Sequence, residues 1–226
     1  FKKLDGWKSV TEDLANTIDY AKTKYPNLSV FVLGHSMGSW VALSILNNKS
    51  DINGMILTGS SKIPKVLILS QLLIIELEIL LKGDKGISLF LDNITFRKFN
   101  NAFKPNTSPN DWLSSDITSV ANYTDDPLCG FKVTNGLWKD LSYGLLSIFN
   151  KNFYSKKNEN IPILLMTGEN DQATQGSKLT LHLYNFLSLI FKNVSFKVIK
   201  NARHEIFSEF NKNYSYKNLL LFISNK

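Results

Sequence analysis

Five residues, Gly34-His35-Ser36-Met37-Gly38, constrain the fold of this chain more than any other stretch. They come directly after Leu28-Ser29-Val30-Phe31-Val32-Leu33, a short, mostly apolar, β-branched run that reads as a buried strand. They lead into a helical pattern from Met37 to Leu46, in which Trp40, Val41 and Ile45 alternate with the small residues Ser39, Ala42 and Ser44. A strand that becomes a helix within so few residues must turn sharply, which leaves the central serine strained with its hydroxyl exposed. Glycines two positions before and after it remove side chains that would collide. The G-x-S-x-G pattern is short enough to arise by chance, and its strand-turn-helix setting is what gives it weight. Ser36 is therefore a candidate nucleophile, with Gly34 and Gly38 forming the elbow.

The rest of the chain repeats this alternation. Before the strand, Trp7, Val10, Leu14, Ile18 and Ala21 recur at helical spacing, and Ser9-Val10-Thr11-Glu12 has the form of a capping box. After the elbow come a strand at Gly54 to Thr58, a strand at Ile161 to Met166, a helix at Leu179 to Phe191, a strand at Val194 to Ile199 and a helix at Lys217 to Ile223. Strands alternating with helices predict an α/β fold with a parallel sheet covered on both faces.

Between Ser60 and Ser155 the pattern changes. Val66 to Leu81 is a long apolar helical stretch, and the residues beyond it are irregular in pattern, aromatic-rich and broken by Pro105, Pro109 and Pro127. Gln71, Glu76 and Glu78 interrupt the apolar stretch, so it reads as a cap helix rather than a membrane span. The expected organisation is a core in two parts, residues 1–59 and 156–226, with a helical cap at 60–155.

Composition narrows the chemistry. With 43% hydrophobic and 20% charged residues, the 226-residue chain can bury a sizeable core. A single cysteine, Cys129, rules out an intrachain disulfide and a cysteine-based zinc site. The net charge of +7 is spread over scattered lysines, with neither a basic helix nor a basic-aromatic stripe, so no nucleic-acid partner is expected. The chain opens on Phe1-Lys2-Lys3-Leu4, without methionine or signal peptide, which suggests further sequence upstream and a cytoplasmic location.

A serine hydroxyl is a weak nucleophile and needs a base, itself oriented by a third group. Of the three histidines, His35 adjoins the serine and is expected to point elsewhere, and His182 falls within a helical pattern. His204, in Asn201-Ala202-Arg203-His204-Glu205, comes directly after the last predicted strand and can reach the sheet's C-terminal edge. The orienting carboxylate is expected in Gly168-Glu169-Asn170-Asp171, with Asp171 chosen, Glu169 as the alternative and helix capping as its ordinary role. The order Ser36, Asp171, His204 is that of α/β-hydrolases, unlike the orders of chymotrypsin-like and subtilisin-like proteases.

These three segments resemble the nucleophile, acid and histidine motifs of the α/β-hydrolase superfamily, and more narrowly those of bacterial lysophospholipases and monoacylglycerol lipases. Asp111-Trp112-Leu113 and Asp126-Pro127-Leu128-Cys129-Gly130-Phe131 in the cap are similar to stretches of uncharacterised bacterial members. The resemblance implies an α/β-hydrolase fold of which the chain covers the C-terminal strands only. The family's four earlier strands and its His-Gly loop have no counterpart here. The strand from Leu28 to Leu33 would then be an unpaired edge, and the oxyanion hole would keep the backbone N–H of Met37 without its second donor.

The expected activity is cleavage of carboxylic esters through an acyl-enzyme on Ser36, with a monoacylglycerol or lysophospholipid-like lipid as substrate and with no metal or organic cofactor. Leu72, Leu73, Ile74, Ile75, Leu80 and Leu81 offer an apolar wall for an acyl chain, and this cap face is the expected place of transient membrane contact. The alternatives are a peptidase, a thioesterase, or an inactive fragment serving as an interaction module. A peptidase would hold the substrate amine on a cap carboxylate such as Asp111, Asp116, Asp125 or Asp126.

Overall fold

The computed structural model describes residues 5–48 and 50–224; the opening residues Phe1 to Leu4 lie outside the described residues. The core is a four-stranded parallel sheet in the order β1 (Phe31–His35), β2 (Gly54–Thr58), β3 (Ile163–Gly168), β4 (Val194–Ile199). β2 and β3 are buried along their whole length, as parallel strands covered on both faces must be. β1 pairs with β2 and, among the described residues, has no neighbour on its other side, so Leu33 is exposed.

Alternation along the strands sorts side chains into two layers. Met55, Leu57, Ile163 and Leu165 join the larger apolar cluster, and their neighbours Ile56, Leu164 and Met166 join the smaller one. The larger cluster is covered by α1 (Gly6–Lys24), α2 (Met37–Ser44), and, further along the chain, α3 (Lys65–Lys82). Four short or irregular elements come next: α4 (Leu89–Asp92), a π-helical turn at Asn93–Arg97, α5 (Lys98–Asn101) and α6 (Ile117–Asp125). α7 (Asn135–Ile148) and α8 (Lys178–Leu187) complete that layer, while α9 (Lys212–Ser224) covers the smaller cluster through Leu219 and Phe222.

Two expectations change here. α1 begins at Gly6, and Ser9 N–H already donates to Asp5 O within the first turn (3.0 Å), so the capping-box residues are interior and cap nothing. The segment after α3 is less irregular than its prolines suggest, since α7 runs for 14 residues and packs on α1, α2 and α3. Trp138, Leu141, Leu145 and Ile148 lie on its buried face, and Thr134 Oγ1 caps it by accepting from Leu137 N–H. Residues 60–155 thus contribute to the sheet's helical layer as well as to the surface above it.

α3 buries Ile68 and Ile75 in the main core, and Leu72 is buried as well, so Leu72 and Ile75 do not form the exposed apolar wall expected of them. Its opposite face exposes Val66, Leu73, Leu77, Leu80 and Leu81. No helix among the described residues is long and apolar enough to cross a membrane.

A buried amide joins the loop after α2 to the segment before β3. Asn158 donates through Nδ2 to Leu46 O (2.9 Å) and Asn48 O (2.5 Å) and accepts from Ser50 N–H at Oδ1 (3.0 Å). Removing it deletes three hydrogen bonds and leaves a gap at a side chain that is 1% exposed, although Leu46 O keeps the bond from Ser155 N–H (3.0 Å). Asn158→Ala is expected to destabilise the protein by about 2–4 kcal/mol in urea denaturation; a loss below about 0.5 kcal/mol would show that this junction does not hold the two halves together.

Candidate active site

Ser36 lies between β1 and α2 with φ 51° and ψ −122°, a left-handed conformation that a non-glycine residue adopts only under constraint. The constraint is visible on both sides of the residue. Ser36 N–H extends the sheet ladder to Thr58 O (2.9 Å), and Ser36 O accepts from Ser39 N–H (3.0 Å) and Ser39 Oγ (2.5 Å). Buried Ser39 Oγ lies in turn 2.7 Å from Ser60 Oγ, just beyond β2. The two elbow glycines differ. A Cβ on Gly34 would stand 2.5 Å from Gly38 O and 2.7 Å from Ser39 Cα, whereas a Cβ on Gly38 would meet nothing within 4 Å. The collision argument therefore holds at Gly34 and fails at Gly38. Met37 supplies the first backbone N–H of α2, one of those that have no acceptor inside the helix.

The loop after β4 carries His204, which is buried at 1% exposure. Its Nδ1 is 2.9 Å from Asp171 Oδ2, and Asp171 is fully buried at the end of β3. The other oxygen, Oδ1, accepts from Ala173 N–H (2.9 Å), so Asp171 caps a 3₁₀ turn as well. Burial alone would push the Asp171 carboxyl up; the charge and hydrogen bond of His204 and the Ala173 N–H outweigh it and hold the group below its ordinary value. The alternative carboxylate, Glu169, is turned away, with Oε2 accepting from Asn201 N–H (2.9 Å). His182 lies on the exposed face of α8.

His204 Nε2 is buried and, among the described residues, has no hydrogen-bond partner. The structure thus joins His204 to Asp171 directly and brings them to the strand ends that carry Ser36, without a hydrogen bond from Nε2 to the serine. Such a contact commonly tightens only when substrate binds.

The expectation for His35 is corrected. Its ring lies beside that of His204, with centroids 4.7 Å apart, and Nδ1 is 2.9 Å from Thr58 Oγ1. Gly59, in a left-handed conformation (φ +57°), makes room for both imidazoles: a Cβ there would stand 2.8 Å from His204 Cε1 and 3.0 Å from His35 Cε1. Burial, and then the neighbouring His204, lower the His35 pKa from 6.5 to about 3, so this ring is neutral at physiological pH.

Trp112, singled out in sequence only through a resemblance, lies with its indole against His204, centroids 4.8 Å apart, a contact that sequence reasoning missed. No periodicity signals that contact, because it depends on a cap turn held by the histidine loop.

The model of the Hydrolase_4 family, described as serine aminopeptidase, S33, matches residues 2–211. The chain belongs to this family. Similar solved structures include a thermostable carboxyl esterase from Bacillus coagulans (23% identity, TM-score 0.81, covering 97% of this chain and 71% of that one). An open-form lipase aligns at 18% identity and TM-score 0.82 over 98% of this chain and 72% of that one. A monoacylglycerol lipase from Paleococcus ferrophilus aligns at 20% identity and TM-score 0.62 over 94% and 74%. At these identities the likeness establishes the α/β-hydrolase fold. No curated protein sequence matches.

Two outcomes are expected of this Hydrolase_4 member. Gly34→Ala should cost about 1–3 kcal/mol of stability in chemical denaturation, and Gly38→Ala should be neutral or slightly stabilising; equal effects would remove the steric account of the elbow. For His35, the unfolded ring takes up a proton near 6.5 and the folded ring only near 3. Between those values the unfolded state binds more protons, so stability is lost as pH falls through the window, by up to about 1.4 kcal/mol per pH unit from this group. Urea melts of His35→Gln should show a shallower loss than the parent between pH 6 and about 4; parallel curves would mean that the ring is solvated.

Proposed function

We propose that this protein is a serine hydrolase of carboxylic esters, with Ser36, His204 and Asp171 as its catalytic triad. The observation that carries the reading is the buried 2.9 Å contact between Asp171 and His204, at the sheet edge where β1 is followed by a serine of left-handed conformation. Ser36 Oγ attacks the ester carbonyl carbon while His204 Nε2 takes its proton. Asp171 holds Nδ1–H and thereby selects the tautomer whose Nε2 has a free lone pair. The developing oxyanion is stabilised by Met37 N–H at the head of α2. His204 returns the proton to the leaving alcohol, and water then releases the acyl group from Ser36 by the same two transfers.

The substrate class proposed is a single-chain acyl ester such as a monoacylglycerol or lysophospholipid. The esterase and lipase names of the similar structures support it. So does the exposed apolar face of α3, with Leu73, Leu77, Leu80 and Leu81 available to an acyl chain or to a lipid surface met transiently. The peptidase alternative agrees with the family's description, but two of the cap carboxylates it needs are engaged elsewhere. Asp111 accepts from Thr107 N–H (2.6 Å) and Ser108 Oγ (2.5 Å), and Asp116 caps α6. Neither is free to hold a substrate ammonium group.

Intact mass after fluorophosphonate treatment should show one adduct on the parent and none on Ser36→Ala, with labelling of Asp171→Asn slowed at least about 100-fold. Turnover of a monoacylglycerol but not of a proline amide would place the activity with ester cleavage. An adduct that persists in Ser36→Ala would overturn the assignment.

A further inference from the structure

The residues on either side of His204 both reach into the cap. Arg203 Nη1 donates to Asp111 O and to Ser114 O (3.0 Å), and its guanidinium lies 4.1 Å from the Phe103 ring centroid. Glu205 N–H donates to Leu113 O (2.7 Å). These bonds bracket Trp112, whose own N–H donates to Asn100 Oδ1 (3.0 Å) and whose indole is backed by Phe99 (5.4 Å) and Phe96 (6.0 Å). A third tie comes from buried Glu209, which accepts from Arg203 N–H (2.6 Å) and from Ser115 N–H (3.1 Å). Trp112 is thus fixed from behind, from both flanks and through its backbone, and its 8% exposed side chain rests against His204 at an interplanar angle of 33°.

A hydrophobic anchor would need only burial. Here a tryptophan is held by both neighbours of the base in contact with the base itself, while Asp171 takes Nδ1 and Nε2 is left unpartnered. We propose that Trp112 is a positioning residue of the catalytic machinery. It keeps the imidazole of His204 in the orientation that leaves Nε2 for the serine proton, and it presents an aromatic face to the imidazolium formed when that proton arrives. This rests on the reading of Ser36, His204 and Asp171 as a triad. It assigns to Arg203 and Glu205 the task of holding the cap turn on the histidine.

The test compares the full chain with Trp112→Phe and Trp112→Leu. Steady-state kinetics on p-nitrophenyl butyrate, fluorophosphonate labelling rates, and the His204 Cε1–H resonance, assigned by its loss in His204→Gln, are measured on each. The phenyl variant should keep kcat within about threefold. The leucyl variant should lose about 10- to 100-fold in kcat and in labelling rate, with KM changed much less. The His204 resonance should move in the leucyl variant as the indole ring current is lost. A leucyl variant with kcat within twofold of the parent would overturn the proposal, as would equal losses in both variants. If Trp112→Leu does not fold by circular dichroism, Arg203→Gln, which keeps the indole and removes the side-chain donors to the Asp111 and Ser114 carbonyls, should lower kcat at least about threefold; unchanged kcat would overturn the proposal. If the parent itself takes no fluorophosphonate, the triad reading fails. The resonance then still decides: unmoved in the leucyl variant, it would show that Trp112 does not hold the ring.

Discussion

A left-handed serine can be kept at the end of a strand only if the chain around it forbids relaxation, and much of this structure supplies that prohibition. The ladder bond from Ser36 N–H to Thr58 O fixes the residue from the sheet side. Buried Ser39 and Ser60 fix its carbonyl from the helix side. α2 must also pass so close to β1 that no Cβ is tolerated at Gly34. This close passage seats Val41, Ala42 and Leu43 in the buried layer, with α1 and α7 packed against α2. The strain at one residue is therefore held by the same packing that makes the helical layer.

The electrostatics of the site depend on an equally small set of contacts. Among the described residues the only side chain at hydrogen-bonding distance from the Asp171 carboxylate is His204, and the backbone N–H of Ala173 satisfies the remaining oxygen. A second imidazole next to the pair would compete for a proton, but burial keeps His35 neutral and its Nδ1 is occupied by Thr58. In the proposed reaction the proton of Ser36 goes to His204 Nε2, a buried ring nitrogen without a hydrogen-bond partner among the described residues. A charged His35 beside an imidazolium would oppose that transfer, so desolvation of the neighbour serves the base.

How much could be read in advance divides along the range of the interactions. Gly54–Thr58 and Val194–Ile199 were legible to the residue because apolar and β-branched runs between polar breaks are local signals. The placement of Ser36, Asp171 and His204 was legible because each comes after a strand, and strand ends in a parallel sheet converge on one edge. α7 was not, although Trp138, Leu141, Leu145 and Ile148 carry helical spacing, because Gly136, Gly144, Ser142 and Ser147 weaken the local pattern that tertiary packing restores. The approach of His35 to His204 was hidden because it depends on Gly59, a residue of another strand's loop. The contact of Trp112 with His204 was hidden for the same reason on a larger scale: Arg203, which holds the cap turn, lies 92 residues from its acceptor Asp111.

The long-range ties through Arg203, Glu205 and Glu209 also bear on what a cap is in this protein. A lid that moved as a rigid body would have to release the Asp111, Leu113 and Ser114 carbonyls together with the Ser115 N–H, and would draw the indole off the imidazole as it went. Backbone groups freed in this way must find water or suffer a desolvation penalty of about 1–3 kcal/mol each. The segment from 111 to 115 therefore belongs energetically to the histidine loop, even though it lies within the stretch inserted between β2 and β3. Opening, where the substrate requires it, falls to parts of the insertion without such ties. α3 is not such a part, since Ile68 and Ile75 hold it in the main core, whereas the Asp126–Phe131 turn leaves Leu128 and Phe131 exposed.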